Sequence, residues 1–295
     1  MRVIMGPESS MLRNLSEKME LPYVPIEFRT FPDGEVCPRI PQIDGYSHVY
    51  IFNRLDYATF YPNRHLMEYY FLDRALEDMG IERRDMIMPY LPYGRQDKMF
   101  RLGEPFSLRY ILELFASSGV SRIYTLMAHI PRLSGIVENK NMRVVNINVR
   151  DKLTEYISSI RSSNPFIIGP DGESRRWVED ISSKMGVDYA VLDKRRDFST
   201  DDVRTTGDIP SLNGKDVYIV DDILSTGKTV ENAIRMVQEK NPASINVVAV
   251  HGIFSNGAID MLSKYDISLV TSNTIKNPFS SLKMEDIISR AIKKW

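Results

Sequence analysis

Cysteine is almost absent from this chain of 295 residues, and Cys37 is the only one. A single cysteine excludes a disulfide within the chain and fits a reducing compartment. Long apolar runs are also missing, since none approaches the about 20 residues of a membrane span. The first residues, 1–8, lack the apolar segment of a signal peptide. We therefore expect a soluble, cytoplasmic globular protein without a membrane partner.

An excess of either charge is lacking as well. The chain has 38 Lys and Arg against 39 Asp and Glu, which gives a net charge of −1. Without a bulk electrostatic field, neither nucleic acid nor a membrane surface is an expected partner. The length allows two domains of ordinary size.

Strand-like and helix-like segments alternate from one end of the chain to the other. Such alternation predicts an α/β fold with mainly parallel sheets flanked by helices. We expect two domains, an N-terminal one at residues 1–143 and a C-terminal one at residues 144–295. In such sheets ligands bind beyond the carboxyl ends of the strands.

Individual elements follow from periodicity and from helix caps. We predict strands at residues 85–91 and 122–127, and Ser107 as the N-cap of a helix that ends near Gly119. Residues 143–147 are expected to open the second series of strands, and residues 285–294 to form a terminal helix.

The stretch at residues 217–229 has the strongest chemical signal. An apolar run typical of a buried strand leads into Asp221 and Asp222, where we expect the strand to end, and a small hydroxyl-rich turn and a helical stripe follow. Loop amides and a helix N-terminus bind phosphate. The two carboxylates suit either two ribose hydroxyls or a metal ion. A Walker A loop is excluded, because that motif needs glycine where Asp222 stands.

Other polar stretches also follow predicted strands. Residues 31–35 form a Pro-Asp-Gly turn that is common in proteins. Arg95 and Gln96, within residues 89–98, suit either a purine or a polyphosphate. His129 is either structural or a metal ligand. Residues 169–174 repeat the order of strand, Asp and small loop, and Asp171 suits Mg²⁺. Residues 193–196 are either a surface charge run or cations for phosphoryl transfer.

Seven stretches together resemble the ribose-phosphate pyrophosphokinases, in order and spacing. They cover essentially the whole chain and lie at residues 31–35, 89–98, 169–174, 193–196, 217–229, 251–255 and 271–275. The resemblance implies two phosphoribosyltransferase-like domains and transfer of the diphosphoryl group of ATP to ribose 5-phosphate, which yields 5-phosphoribosyl 1-diphosphate and AMP. It further implies Mg²⁺ as the cofactor and a homo-oligomer.

The resemblance also implies a role for each matching residue. Phe31, Asp33 and Glu35 would contact adenine across a subunit interface, and Arg95, Gln96 and Asp97 would complete the ATP site. His129 and Asp171 would bind Mg²⁺, and Lys194 and Arg196 would stabilise the transition state. The diphosphate loop would comprise Asp171, Gly172, Glu173 and Ser174. Ribose 5-phosphate would be bound by Asp221, Asp222, Ser225, Thr226, Gly227, Lys228 and Thr229.

Three residues depart from the family pattern. Met127 stands where the family has an aspartate two residues before the metal-binding histidine. Lys228 and Glu173 stand where it has small residues. These departures leave a second hypothesis, a catalytically weakened paralogue that acts as a regulatory or assembly subunit. A third is a phosphoribosyltransferase that consumes phosphoribosyl diphosphate, for which an ATP-binding stretch would be unnecessary.

Overall fold

The computed structural model describes residues 1–128, 135–139, 142–162, 164–196 and 203–294, and for residues 135–139, 194–196 and 203–206 it describes the backbone alone. The chain divides into two compact units. Met1–Asn148 and Lys283–Trp295 form unit 1, and Val149–Leu282 form unit 2. Each described part is an α/β unit with a mainly parallel sheet, so the predicted fold class is confirmed.

Unit 1 contains nine strands and four α-helices among its described residues. In chain order they are β1 (Arg2–Gly6), α1 (Ser10–Met19), β2 (Tyr23–Pro25), β3 (Glu27–Thr30), β4 (Val36–Arg39), β5 (His48–Phe52), α2 (Pro62–Asp78), β6 (Arg83–Ile87), α3 (Ser107–Ser117), β7 (Arg122–Leu126), β8 (Gly135–Asn139) and β9 (Met142–Ile147), with the terminal helix α8 (Glu285–Lys293) returning to this unit.

The main sheet of unit 1 has the order β2-β1-β5-β6-β7-β9-β8, and β3 and β4 form a separate hairpin. All neighbours in the main sheet are parallel except β8 and β9. Alternate side chains of the central strands face α2 and α3 and form the apolar core. This core is built from Val3, Met5, Val49, Ile51, Met86, Met88, Leu66, Tyr69, Leu72, Leu108, Leu112 and Phe115.

Unit 2 contains eight strands and four α-helices among its described residues. They are α4 (Arg150–Ser159), β10 (Pro165–Gly169), α5 (Arg175–Met185), β11 (Tyr189–Val191), β12 (Asp193–Arg196), β13 (Val203–Thr206), β14 (Asp216–Leu224), α6 (Lys228–Gln238), β15 (Ser244–Gly252), α7 (Ala258–Leu262), β16 (Ser268–Ser272) and β17 (Ser280–Leu282). The sheet order is β11-β10-β14-β15-β16-β17, and all its described pairings are parallel. The antiparallel pair β12–β13 is separate.

The division into units differs from the boundary expected at residues 143 and 144. β9 pairs with β7 and therefore completes the first sheet instead of opening the second. The terminal helix α8 packs with α1, where Asn14 donates to Glu285 at 3.1 Å and Lys293 donates to Glu20 at 2.8 Å. A periodic apolar stripe predicts a buried helix face but does not identify the element that covers it.

One predicted strand has different bounds, and one predicted helix cap is wrong. The strand expected at residues 85–91 is β6, Arg83–Ile87, because its carboxyl end turns into a loop that begins at Met88. Ser107 is not an N-cap: it is the first residue of α3, and Phe106 precedes it without a side-chain cap.

Candidate active site

The paired acids of unit 2 lie within the central strand and not after it, contrary to the sequence-based expectation. β14 runs to Leu224, and Asp221 pairs in register with Ala249 of β15. The strand continues past the acids because Ile223 and Leu224 still pair with β15. Both carboxylates are half-buried near the carboxyl end of the sheet, where ligands of α/β proteins bind.

Three carboxylates of unit 2 influence one another electrostatically. Burial raises the pKa of Asp221 well above its ordinary value, and the charges of Asp222 and Asp171 raise it further. A hydrogen bond from the backbone N–H of Asp222 to Asp221 Oδ1, at 2.9 Å, opposes this rise only in part. The site therefore concentrates negative charge that a cation or hydroxyl donors would relieve.

The loop after β14 leads directly into a helix N-terminus. Gly227 has φ 74° and precedes α6 without a side-chain cap, so the first amides of α6 lack intrahelical acceptors. A Cβ on Gly227 would lie 2.8 Å from Met261 Cε. The left-handed backbone therefore favours glycine, and a Cβ at this position would require Met261 to move. Three hydroxyl residues lie in or next to this turn: Ser225 and Thr229 are half-buried, and Thr226 is exposed.

Lys228, the second departure from the family pattern, is the first residue of α6. Its side chain is 73% exposed, and its Nζ lies 3.4 Å from Glu231 Oε2 one turn later. Glu231 is nearly buried and also accepts from Arg235 at 2.9 Å and Tyr265 at 3.0 Å. Burial raises the pKa of Glu231, but these donors outweigh it and the pKa is lowered. The ammonium group of Lys228 therefore contacts Glu231 on the side of α6.

A neighbouring segment supports the loop between β14 and α6. The backbone N–H groups of Ile253 and Phe254 both donate to the carbonyl oxygen of Leu224, at 2.9 and 3.2 Å. Ser255 N–H donates to Ser225 O at 3.1 Å, and the two serine hydroxyls are also 3.1 Å apart. The resemblance marked residues 251–255 without giving them a role. The structure shows that they fix the start of the loop.

Buried polar groups lie beneath that segment. His251 is fully buried, and its Nδ1 lies 2.9 Å from the Thr274 hydroxyl, which in turn contacts Ser272 at 2.8 Å. Asn277 donates to Gly252 O at 3.3 Å and accepts from Thr271 at 3.1 Å. Sequence reasoning did not single out Asn277, because a lone amide in a loop has no distinguishing pattern.

The predicted diphosphate loop follows β10. Asp171 Oδ1 accepts from the N–H groups of Glu173 at 3.1 Å and Ser174 at 3.3 Å, so a diphosphate would compete with Asp171 for these amides. A Cβ on Gly169 would lie 2.3 Å from Ser174 Oγ, which explains glycine at the strand end. Gly172 and Glu173 are exposed, and Ser174 is buried.

The strand β12 places a further carboxylate beside this loop. Asp193 is exposed, and its Oδ1 would lie 3.5 Å from a Cβ on Gly172. Sequence reasoning gave a role only to the cations after it. Lys194 and Arg196 pair in register with Thr205 and Val203 of β13, and their side chains lie outside the described part.

In unit 1, residues 31–35 form the tip of the β3–β4 hairpin. Phe31 N–H donates to Glu35 O at 2.8 Å, Gly34 has φ 94°, and Asp33 Oδ1 accepts from Glu35 N–H at 3.2 Å. The Phe31 ring lies 4.6 Å from the Arg29 guanidinium. Asp33 and Glu35 are exposed, so the turn presents its two acids to solvent.

Residues 89–98 lie in the loop between β6 and α3. Gln96 connects this loop to α3, since its carbonyl accepts from Leu108 N–H at 3.3 Å and its Nε2 donates to Pro105 O at 3.3 Å. Arg95 is exposed and Asp97 is half-exposed. Gln96 is thus partly used by the fold, whereas Arg95 projects into solvent.

Met127 follows β7 with an unusual backbone conformation. Its φ is 36°, and its N–H donates to Ile147 O at 3.0 Å. Asn146 of β9 holds the next residue, because its Oδ1 accepts from Ala128 N–H at 2.9 Å. Asn146 was not singled out from the sequence, because a single amide within a strand has no distinguishing pattern. His129, the predicted metal ligand, lies outside the described residues.

Two kinds of feature are absent from the described residues. No group of three or more His, Cys, Asp or Glu side chains in this part of the chain is arranged to hold a metal ion. No helix there has the length and apolar content needed to cross a membrane.

The geometry defines an α/β protein in which paired acids lie near the carboxyl end of a parallel sheet and a loop leads into an uncapped helix N-terminus. Comparison with known families agrees with this class. Residues 1–119 match the N-terminal domain of ribose phosphate pyrophosphokinase, and residues 138–284 match the phosphoribosyl transferase domain.

Curated relatives extend the match over nearly the whole chain. The ribose-phosphate pyrophosphokinase of Sulfolobus acidocaldarius is 31% identical over 95% of this chain and 94% of its own. That of Pyrococcus furiosus is 31% identical over 90% of this chain and 92% of its own. The chain belongs to the ribose-phosphate pyrophosphokinase family, as its sequence motifs predicted.

A solved structure shows the same fold. The phosphoribosylpyrophosphate synthetase from Mycobacterium smegmatis superposes with a TM-score of 0.81 at 21% identity, over 99% of this chain and 97% of that one. The architecture of both units therefore occurs in an experimental structure.

Proposed function

We propose that this protein transfers the β,γ-diphosphoryl group of ATP to the anomeric hydroxyl of ribose 5-phosphate. The products are 5-phosphoribosyl 1-diphosphate, a precursor for nucleotide biosynthesis, and AMP. A bond forms between the β-phosphorus and the anomeric oxygen, and the bond from the β-phosphorus to the α,β-bridging oxygen breaks. Family membership supports this reaction, as do the residues available in each unit.

The observation that carries the proposal is the order of groups at the end of β14. Asp221 and Asp222 precede a loop that ends at the uncapped N-terminus of α6. Paired carboxylates accept hydrogen bonds from neighbouring ribose hydroxyls, and helix amides bind a phosphate. The 5-phosphate would be bound by Ser225, Thr226, Gly227, Lys228 and Thr229. Ribose 5-phosphate has both the neighbouring hydroxyls for the acids and the phosphate for the loop.

The ATP site is proposed to draw on two exposed segments of unit 1. Phe31 provides an aromatic face for adenine, with Asp33 and Glu35 as acceptors for its amino group. Arg95, Gln96 and Asp97 would bind the polar part of the nucleotide. Exposure of Asp33, Glu35 and Arg95 supports this proposal, because the fold itself does not bury these charged groups.

Lys194, Arg196 and a bound Mg²⁺ ion are proposed to neutralise the charge of the phosphate groups. Lys194 and Arg196 would stabilise the charge that develops on the transferring diphosphoryl group. Asp171 and His129 would hold Mg²⁺, which when bound neutralises phosphate charge. The Asp171 carboxylate fits this ion, since Mg²⁺ takes one or two carboxylates plus substrate phosphates and needs no larger protein cluster. Asp171 already lies close enough to Asp221 to raise its pKa.

We further propose a homo-oligomer and a cytoplasmic location. Large apolar side chains are exposed on unit 1, among them Tyr61, Phe100 and Leu102, and they offer contact area for a second copy. A cytoplasmic location fits a protein that uses ATP and has one cysteine.

The test is AMP formation by the purified protein with ATP, Mg²⁺ and ribose 5-phosphate, with each component omitted in turn. We expect AMP and phosphoribosyl diphosphate only when all three are present. Asp222→Asn serves as the matched variant and is expected to lose activity with its fold intact.

Folded protein that binds ATP but forms no AMP would overturn the proposal in favour of a regulatory subunit. Consumption of added phosphoribosyl diphosphate with a nucleobase would instead indicate a phosphoribosyltransferase.

A further inference from the structure

Ser255 lies beside the loop between β14 and α6 and contacts it twice. Its backbone N–H donates to the carbonyl oxygen of Ser225 at 3.1 Å, and its Oγ lies 3.1 Å from Ser225 Oγ. Ser225 follows β14 and Ser255 follows β15, and these neighbouring strands pair in parallel up to Leu224 and Gly252. The two serines therefore meet at the carboxyl edge of the sheet, where ligands of α/β proteins bind.

The backbone on both sides of Ser255 has a conformation that is uncommon for residues other than glycine. The φ angles of Phe254 and Asn256 are 53° and 55°, in the left-handed region. Asparagine tolerates this region, whereas an aromatic residue adopts it at a cost in free energy. Such conformations persist where the surrounding structure holds them, and they are concentrated at functional sites. The backbone conformation therefore indicates a functional role for this turn.

Packing and a hydrogen bond hold Phe254 in this conformation. Phe254 is buried, and the centre of its ring lies 5.3 Å from that of Phe279. Its backbone N–H donates to the carbonyl oxygen of Leu224, the last residue of β14, at 3.2 Å. Because Ser255 comes next in the chain, the same contacts fix its position relative to the start of the loop.

The hydroxyl of Ser255 is not used by the helix that follows. α7 begins after Gly257 without a side-chain cap, and Ser255 accepts from Ala258 N–H through its carbonyl oxygen at 3.2 Å. Within the described part of the chain, the hydroxyls of Ser225 and Ser255 have only each other as hydrogen-bond partners. Both residues are half-buried, so a ligand can reach this pair from solvent.

A serine hydroxyl has one proton to donate and two lone pairs with which to accept. If Ser225 donates its proton to a bound phosphate, its oxygen can only accept from Ser255. We propose that Ser255 is a positioning residue, whose hydroxyl donates to Ser225 Oγ and thereby directs the Ser225 proton toward the 5-phosphate of ribose 5-phosphate. Linked hydrogen bonds strengthen one another, and the last one here has a charged acceptor. The inference rests on the proposed function, because it takes ribose 5-phosphate as the ligand of this loop.

Isothermal titration calorimetry of the full-length protein with ribose 5-phosphate tests the inference. We expect Ser255→Ala to raise the Kd about fivefold, because the Ser225 hydroxyl loses the donor that orients it. Ser225→Ala should raise the Kd about tenfold, because the hydrogen bond to the phosphate itself is lost. Adding Ser255→Ala to Ser225→Ala should then change the Kd by less than about twofold, because the two hydroxyls act as one unit. Ser263→Ala is the matched control: it removes an exposed hydroxyl of the same unit, which donates to Asp260 O at 3.0 Å, and it should bind like the wild type.

In steady-state kinetics Ser255→Ala should raise the KM for ribose 5-phosphate and leave the KM for ATP unchanged. An unchanged Kd in Ser255→Ala would overturn the inference. So would an equal loss of affinity from Ser255→Ala in the wild type and in Ser225→Ala, because Ser255 would then act through the fold of the loop and not through the Ser225 hydroxyl.

AMP formation by the wild type tests the proposed reaction separately. A wild type that binds ribose 5-phosphate but forms no AMP refutes the reaction, and the calorimetric comparison still decides the role of Ser255. A wild type that does not bind ribose 5-phosphate overturns both.

Discussion

The backbone N–H of Asp222 donates to Asp221 Oδ1 at 2.9 Å, which orients the Asp221 carboxylate within β14, near the carboxyl end of the strand. Burial, together with the charges of Asp222 and Asp171, raises the pKa of Asp221. Such an arrangement costs folding free energy and is retained where a ligand needs it. The pair is therefore expected to oppose stability while it supports function.

Asp221→Asn should raise stability and lower activity. Because the pKa of Asp221 is higher in the folded state, its contribution to stability is complete below the unfolded value of 3.8 and is lost as pH rises through the folded value. At pH 8 we expect the variant to gain about 1 kcal/mol in the free energy of unfolding. Its catalytic efficiency should fall roughly 10- to 100-fold, because a charged acceptor is removed.

Urea unfolding of both proteins between pH 5 and pH 8 measures the first effect, and AMP formation measures the second. The stability gain should shrink toward pH 5. A variant that is less stable than the wild type at pH 8 would contradict the assigned charge repulsion.

Gly227→Ala and Gly257→Ala form a matched pair. Their φ angles are 74° and 73°, so both replacements carry the same left-handed strain of about 1 kcal/mol. Only at Gly227 would the new Cβ meet a neighbour, Met261 Cε at 2.8 Å. Gly227→Ala should therefore raise the KM for ribose 5-phosphate at least about fivefold, while Gly257→Ala loses stability alone. Equal KM values in the two variants would contradict a phosphate-binding loop at Gly227.

The α/β class and most central elements were predictable, because apolar runs predict the buried strands and apolar residues at helical spacing predict the helices. What the sequence did not predict is mainly which elements pack against each other. The stripe at residues 285–294 predicted α8, but only tertiary packing joins α8 to α1 in unit 1. Short strands such as β17, Ser280–Leu282, have no apolar alternation long enough to detect.

Some residues of the candidate site were predictable from the sequence, and others were not. Asp221, Asp222 and Gly227 stood out because adjacent acids followed by a small, hydroxyl-rich turn have few uses near the end of a strand. Asn146 was missed, and Ser255 was marked only as part of a family-like stretch, because each supports a loop through one or two hydrogen bonds whose partner is distant in sequence. Such contacts depend on the folded sheet and leave no periodic signal.

Lys228→Gln tests whether the added cation assists phosphate binding. Its exposed pair with Glu231 contributes at most about 0.5 kcal/mol, so stability should change little. If the ammonium turns toward the bound 5-phosphate, the KM for ribose 5-phosphate should rise about threefold and its dependence on salt should weaken. Steady-state kinetics at low and high ionic strength measure both. A lower KM in the variant would show that Lys228 obstructs the loop.

His65 of α2 should make unit 1 sensitive to acid. Burial lowers the pKa of His65 to about 3 from 6.5, and the nearest acid is Glu68, with Oε2 3.9 Å from Nδ1. The unfolded chain therefore binds an extra proton below pH 6.5, and stability falls as pH drops. At pH 5.5 this group should cost about 1.4 kcal/mol. His65→Leu should flatten urea-derived stability between pH 7.5 and pH 5.5; an unchanged slope would contradict the shifted pKa.

Met127→Asp restores the acid that the family pattern has before His129. The φ of 36° at this position suits Asp and Asn better than other side chains, so both Met127→Asp and Met127→Asn should fold. The added carboxylate should strengthen Mg²⁺ binding by about 1 kcal/mol, a factor of about five. The measurement is AMP formation against Mg²⁺ concentration. Met127→Asn is the control, since it relieves the backbone strain without adding charge. Identical Mg²⁺ titrations for the two variants would show that the missing carboxylate has no part in metal binding.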